Sequence, residues 1–90
     1  MMNKSLFAIF ILFLSGCVIT EKEVDIAVNE VPENIIQAAK TAVAGIVIES
    51  AEIEYEDGQE IYELEGKSSG KEYEIEISKS GEILEVEEKE

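Results

Sequence analysis

Residues 53–77 have the sequence IEYEDGQEIYELEGKSSGKEYEIEI, and this stretch decides the fold. Apolar and acidic residues alternate on both sides of two turn sequences, and a period of two is typical of strands with one buried face. Asp57-Gly58 is a strong signal for a two-residue hairpin turn. Residues 67–70, Lys-Ser-Ser-Gly, indicate a second turn, and Ser80-Gly81 a third. Together with the alternating residues around them, these turns predict a four-stranded antiparallel meander.

Each turn also predicts a register, because the length of a hairpin loop determines which residues face each other. We expect two-residue loops at Asp57-Gly58 and Ser80-Gly81 and a four-residue loop at residues 67–70. The predicted pairs are Ile53–Tyr62 and Ala51–Leu64 in the first hairpin, Leu64–Tyr73 and Tyr62–Ile75 in the second, and Ile77–Leu84 and Ile75–Val86 in the third. All three registers place the apolar side chains on one face.

A helix is predicted before these strands. Apolar residues recur at helical spacing from Ile35 to Ile46. Pro32 suits the first turn, where its missing N–H costs nothing, and Gly45 favours an end near Ala44. Residues 24–28 alternate and predict either a short edge strand or an extended lead. The predicted fold class is therefore α+β, with one helix packed on a four-stranded antiparallel meander.

The other face of the predicted sheet is acidic. The registers place Glu52, Glu63, Glu74 and Glu87 in one row, and Glu54, Ile61, Glu76 and Glu85 in the next. Neighbouring strands are about 4.8 Å apart, and like charges directly opposite each other destabilise a sheet. Lys67, Lys71 and Lys79 lie at turns, and Lys89 is expected at a frayed end. One interpretation is a face that binds a basic protein or peptide through Glu52, Glu54, Glu63, Glu74, Glu76, Glu85 and Glu87. The other is a charged surface that only maintains solubility.

The start of the chain predicts a location. A cationic start and an apolar run from Leu6 to Leu14 are typical of a secretory signal peptide, and the run is too short to span a bilayer. Residues 14–17, Leu-Ser-Gly-Cys, resemble the bacterial lipobox, which implies lipidation of Cys17. The predicted organisation is a signal peptide at 1–16, a tether at 17–23 and one domain at 24–90. The protein is expected in the bacterial cell envelope, periplasmic or at the cell surface.

Composition limits the chemistry. The chain has 21 acidic and 7 basic residues and a net charge of −14, which argues against nucleic acid and leaves the lipid as the only expected contact with a membrane. It has no histidine and a single cysteine, so we predict no enzyme, no catalytic residue and no cofactor. Only oxygen ligands remain for metals, and no calcium-loop pattern is present. No metal site is assigned, and weak Ca²⁺ binding or sensing stays an alternative, as does a structural role without a ligand.

Several short motifs resemble the PepSY and PepSY-like families, which include β-lactamase-inhibitor-like lipoproteins of bacteria. They are Val31-Pro32 with the following helix to Gly45, Tyr62-Glu63-Leu64, Tyr73-Glu74-Ile75 and Gly81-Glu82-Ile83-Leu84. The resemblance covers about residues 31–88. It implies a helix packed on an antiparallel sheet, an envelope location and a binding role, including inhibition or regulation of a peptidase. It supplies no catalytic motif.

Overall fold

The alternating segments form consecutive strands of one antiparallel sheet. The computed structural model describes residues 21–89. The elements are β1 (Glu21–Ile26), a 3₁₀ helix (Val28–Glu30), α1 (Glu33–Ala42), β2 (Val47–Glu56), β3 (Gln59–Ser68), β4 (Lys71–Ser78) and β5 (Ile83–Lys89). The spatial order is β1-β2-β3-β4-β5, with every neighbouring pair antiparallel. The class is α+β, as predicted.

The prediction of four strands is wrong, because the sheet has five. Of the two alternatives for residues 24–28, the edge strand is the one that forms, and it begins at Glu21 within the predicted tether. β1 pairs with residues 51–56 of the long strand β2, and Val24 lies opposite Ile53. The predicted signal peptide of residues 1–16 and Cys17 lie outside the described residues.

The helix is short and covers part of the sheet. The Pro32 carbonyl accepts hydrogen bonds from the N–H groups of Ile35 and Ile36, at 3.0 and 3.2 Å. α1 ends at Ala42, two residues before the predicted end, and Gly45 follows with a φ of 76°. Ile35 and Ala39 are fully buried, and the helix contacts β4 and β5. In the described part of the chain, no helix has the length and apolar character needed to cross a bilayer.

The core lies between α1 and what we call the inner face of the sheet, the face that carries Ile53, Tyr62 and Leu64. Its buried residues are Val31, Ile35, Ala39, Val43, Ile46, Ala51, Tyr62, Leu64, Ile75 and Ile77. Leu64, Ile75 and Ile77 have no exposed surface. The opposite side of the sheet, which we call the outer face, therefore bears the intervening polar side chains.

The first predicted register is confirmed, with Ile53 opposite Tyr62 and Ala51 opposite Leu64. The second is wrong by two residues. β3 continues to Ser68, and a two-residue turn at Ser69-Gly70 places Leu64 opposite Ile75 and Tyr62 opposite Ile77. Because the error is an even number of residues, the inner face keeps its apolar side chains.

The third register is confirmed in part. Ile75 faces Val86 as predicted, but Ile77 faces Ile83 and not Leu84, because a bulge lies between Glu76 and Ile77 in this pairing. Leu84 is the extra residue of this bulge, with no partner in the β4–β5 register, and it is 45% exposed. Two further bonds close the turn: the N–H of Ser78 donates to the Glu82 carbonyl, and the N–H of Gly81 donates to the Ser78 carbonyl, both at 2.8 Å.

Candidate functional site

The outer face concentrates carboxylates from all five strands. Because side chains alternate along a strand, the pairing assigns thirteen acidic residues to this face. They are Glu21, Glu23, Asp25, Glu52, Glu54, Glu56, Glu63, Glu65, Glu72, Glu74, Glu76, Glu85 and Glu87. All seven of the predicted partner-binding glutamates are among them. The same alternation adds Glu56, Glu65 and Glu72. The structure also adds the three acids of β1, which the pattern could assign to this face only once residues 21–26 were known to form a strand.

The rows of carboxylates differ from the predicted rows. Glu63 faces Glu76 and not Glu74, because the β3–β4 register is shifted by two residues. One row crosses the whole sheet: Asp25, Glu52, Glu63, Glu76 and Glu85. A second row contains Glu65, Glu74 and Glu87. The face is therefore more acidic than predicted, and its longest uninterrupted row has five carboxylates instead of four.

Lysine compensates this charge at one end of the face. Lys89 pairs with Glu72 in the β4–β5 register, so it does not lie at a frayed end. Its Nζ atom is 3.2 Å from Glu65 Oε2 and 3.6 Å from Glu74 Oε1. Among residues 21–89, it is the only lysine that forms an ion pair with the thirteen carboxylates. The other ion pairs, Lys71–Glu88 and Lys79–Glu60, involve acids at inner-face positions.

The carboxylates at the centre of the face bind protons more tightly than usual. Partial burial raises the pKa of Glu52, and the charges of Glu23 and Asp25 raise it further. Partial burial also raises the pKa of Glu76, with added repulsion from Glu54 and Glu85. Burial is the larger cause of both shifts, and the repulsion of neighbouring carboxylates adds to it. A cation at the outer face would relieve the repulsion.

A cleft opens where β1 leaves the sheet. Its volume is about 360 Å³, and its lining residues are Asp25, Ile26, Ala27, Val28, Glu49, Ser50, Ala51, Glu52, Glu63 and Glu65. It lies beside a bulge between Ile48 and Ser50 in β2. One part of the lining is apolar and the other carries five carboxylates. An arginine or lysine side chain suits such a lining, because its aliphatic stem packs on apolar groups while its charged end bonds to carboxylates.

Three groups of glutamates bring carboxylate oxygens within 4.8 Å of one another. They are Glu23, Glu52 and Glu54; Glu54, Glu63 and Glu76; and Glu63, Glu65 and Glu74. Ca²⁺ takes about six to eight oxygen ligands, so each group would supply only part of its coordination. The same three oxygens can accept hydrogen bonds from one guanidinium or ammonium group. The spacing therefore suits cationic side chains at least as well as a metal ion.

The tyrosines are not part of this face. Tyr62 is 7% exposed and belongs to the core, and Tyr73 packs against it. Burial raises the pKa of the Tyr62 hydroxyl. Tyr55 shares the inner-face alternation of Ile53 and is half-buried. The inward placement predicted for these residues is confirmed, which leaves carboxylates as the chemistry of the outer face.

Comparison with known proteins identifies the domain type. The family model for PepSY, described as "Peptidase propeptide and YPEB domain", matches residues 32–87. The match extends from the start of α1 to near the end of β5. It covers most of the described sheet but not β1. Neither the comparison with curated proteins nor that with solved structures found a match.

Proposed function

The chain belongs to the PepSY family, and from this premise we propose that it is a lipid-anchored binding domain of the bacterial cell envelope, whose outer face engages a basic protein or peptide. Domains of this family are typically propeptides or inhibitors and not catalysts. A regulatory or binding role is consistent with that class. The family description makes a peptidase the first class of partner to test.

The charge of the outer face is the observation that supports this proposal. A sheet that only needs to avoid aggregation is protected by a few charges at its edges. Here the acidic row extends through the central strands, where Glu52, Glu63 and Glu76 directly face one another in adjacent strands. Such pairs cost stability. A basic partner would offset the repulsion between these glutamates by attracting them. The cleft beside Glu52 can hold one of its long side chains.

Anchoring at Cys17 is the second part of the proposal. It is supported by the apolar run of residues 6–14 and the Leu-Ser-Gly-Cys sequence that follows it. Acyl chains contribute about 0.8 kcal/mol for each buried methylene, so two or three chains anchor a protein stably. A Cys17→Ser variant should lose incorporation of a labelled fatty acid and leave the membrane fraction. Equal labelling of the variant and the wild-type chain would contradict the anchor.

Charge reversal tests the face. The full chain in detergent micelles is titrated with a hexa-arginine peptide, and binding is measured by calorimetry at low and high salt. We expect Glu52→Lys with Glu63→Lys to weaken binding by about tenfold or more, because both residues line the cleft. A matched control, Glu33→Lys with Glu82→Lys, makes the same change in net charge at exposed sites away from the outer face. Equal losses in the two variants would attribute the binding to net charge and overturn the proposal.

The same variants are then used to capture partners from envelope extracts. The wild-type chain and the control should retain a basic partner that the Glu52→Lys and Glu63→Lys variant loses. Titration with Ca²⁺ in the same calorimeter addresses the cation alternative. Heat of Ca²⁺ binding at micromolar concentrations, together with no heat of hexa-arginine binding, would favour the cation alternative and contradict a basic polypeptide partner.

A further inference from the structure

β5 is an open edge of the sheet. It is the last strand in the spatial order, so one side of its backbone has no neighbouring strand in the described part of the chain. Residues 84–88 are all exposed, so α1, which contacts β5, leaves much of this segment open. At an edge, alternate residues direct their N–H and C=O groups away from the sheet. These groups are available to another strand.

The two sides of this edge have different chemistry. Val86 faces the buried residue Ile75, yet it is 43% exposed, so the inner face is only partly covered at this point. On the outer face, Glu85 and Glu87 end the two acidic rows. Neither of them forms an ion pair within residues 21–89. An edge with one apolar and one acidic side favours a strand with the complementary alternation.

We propose that a segment of the basic partner docks along β5 in extended form and adds a sixth strand, with basic residues beside Glu85 and Glu87 and an apolar residue beside Val86. This inference rests on the proposed function and adds a second contact with the partner, at the edge of the sheet opposite the cleft. Side chains directly opposite each other on adjacent strands have Cβ atoms about 5 Å apart. The added basic residues would thus extend both acidic rows with positive charge.

Charge argues against the other occupants of this edge. A second copy pairing through β5 would bring Glu85 and Glu87 against further glutamates, which repel. The other edge, β1, carries Lys22 on its inner-face side, where a basic segment would be repelled, and its apolar residues Val24 and Ile26 are half-buried. The lysine of β5, Lys89, is already paired with Glu65 and Glu74, whereas Lys22 forms no ion pair within residues 21–89. A basic segment therefore fits β5 better than β1.

Peptides that share the same side chains but differ in residue order or in backbone amides test this geometry. The first probe is a peptide of alternating arginine and valine. The second has the same residues in two blocks. The third is the alternating peptide with every second amide N-methylated. It is made in both registers, and each register loses the backbone donors along one side of the strand while keeping the charge. Each is titrated into the full chain in detergent micelles, and amide exchange is followed for β1 and β5.

We expect the alternating peptide to bind best, and the block peptide to lose about tenfold in affinity or more. One N-methylated register should lose as much, whereas the other should keep its binding because its methyl groups face away from β5. Slower exchange should appear at residues 84–88 but not in β1. Equal binding of all three designs, or protection in β1 alone, would overturn docking on β5 and leave the acidic face as the binding site. If no design binds at low salt, the proposed function itself fails. The two proposals are thus separated by different outcomes.

Discussion

Gly66 permits two strands to approach closely next to a bulge. It is buried in β3 and faces Ile48, the residue at which the β2–β3 register shifts. A Cβ atom on Gly66 would overlap the carbonyl oxygen of Val47 and lie 3.0 Å from the Cα atom of Ile48. Both contacts are with backbone, which cannot move aside as a flexible side chain can. Glycine is therefore required here for space and not for its conformation.

We expect Gly66→Ala to lower the free energy of unfolding by about 1–3 kcal/mol, the usual range for overpacking. The measurement is urea denaturation followed by circular dichroism. Lys67→Ala is the matched control, because Lys67 is the next residue in the same strand and is exposed; its effect should be within about 0.5 kcal/mol. Equal stability of the two variants would mean that β2 and β3 are further apart at this point.

At the level of elements, the turn at Ser69-Gly70 determines how β3 and β4 align. Ser69 has a φ of 53° and Gly70 a φ of 80°. Two successive residues with positive φ form the hairpin turn in which asparagine followed by glycine is preferred. Asp57-Gly58 has the same conformation, with φ values of 49° and 81°. Serine tolerates this region less well than asparagine does, so the second hairpin is closed by the less favourable turn sequence.

Ser69→Asn should therefore raise the free energy of unfolding by up to about 1 kcal/mol, and Ser69→Val should lower it, because a β-branched residue is strained at positive φ. Both changes are made at one exposed position. Thermal unfolding of the two variants and the wild-type chain gives the order of their stabilities. Any order other than asparagine above serine above valine would contradict the turn conformation.

The same turn explains how much of the fold the sequence could predict. Alternation assigned the predicted partner-binding glutamates of β2 to β5 to one face, and an even shift of register preserves that assignment. It could not choose between a two-residue and a four-residue loop within Lys-Ser-Ser-Gly, since serine and glycine, which fill three of the four positions, are both common in turns. The bulge at Leu84 has no local signal, because it depends on the closure of the Ser78–Glu82 turn. β1 depends on a partner strand that is distant in sequence, so residues 24–28 alone left two alternatives.

At the scale of the whole molecule, the sheet is held by a core on one side and strained by charge on the other. The ten buried core residues pack together between the sheet and the segments that cover its inner face. The outer face carries most of the chain's acidic groups, and within residues 21–89 a single lysine forms ion pairs with them. The carboxylates of adjacent strands are closer than the Debye length of about 8 Å at physiological salt. Their repulsion therefore acts on the folded state under cellular conditions.

Proton binding gives the sign of this effect. Glu52 and Glu76 have pKa values raised above the ordinary value of 4.5 by burial and by neighbouring carboxylates. Between the ordinary and the raised pKa, the folded state binds more protons than the unfolded chain, so the free energy of unfolding falls as pH rises through this window. Stability is therefore expected to increase when the pH is lowered from neutral toward the ordinary pKa of 4.5. Salt at about 1 M should also stabilise the protein at pH 7, because it screens the repulsion between the carboxylates.

The test is thermal unfolding across this pH range for the wild-type chain and for Glu52→Gln with Glu76→Gln. Glutamine removes both charges and keeps the shape, so the variant should unfold at a higher temperature at neutral pH and show a weaker dependence on pH. The matched control is Glu33→Gln with Glu82→Gln, which removes the same charge from exposed positions and should keep the wild-type pH dependence. A wild-type chain that loses stability as the pH is lowered from neutral toward 4.5 would show that favourable contacts of the carboxylates outweigh their mutual repulsion. The uncompensated charge that favours a basic partner would then be absent.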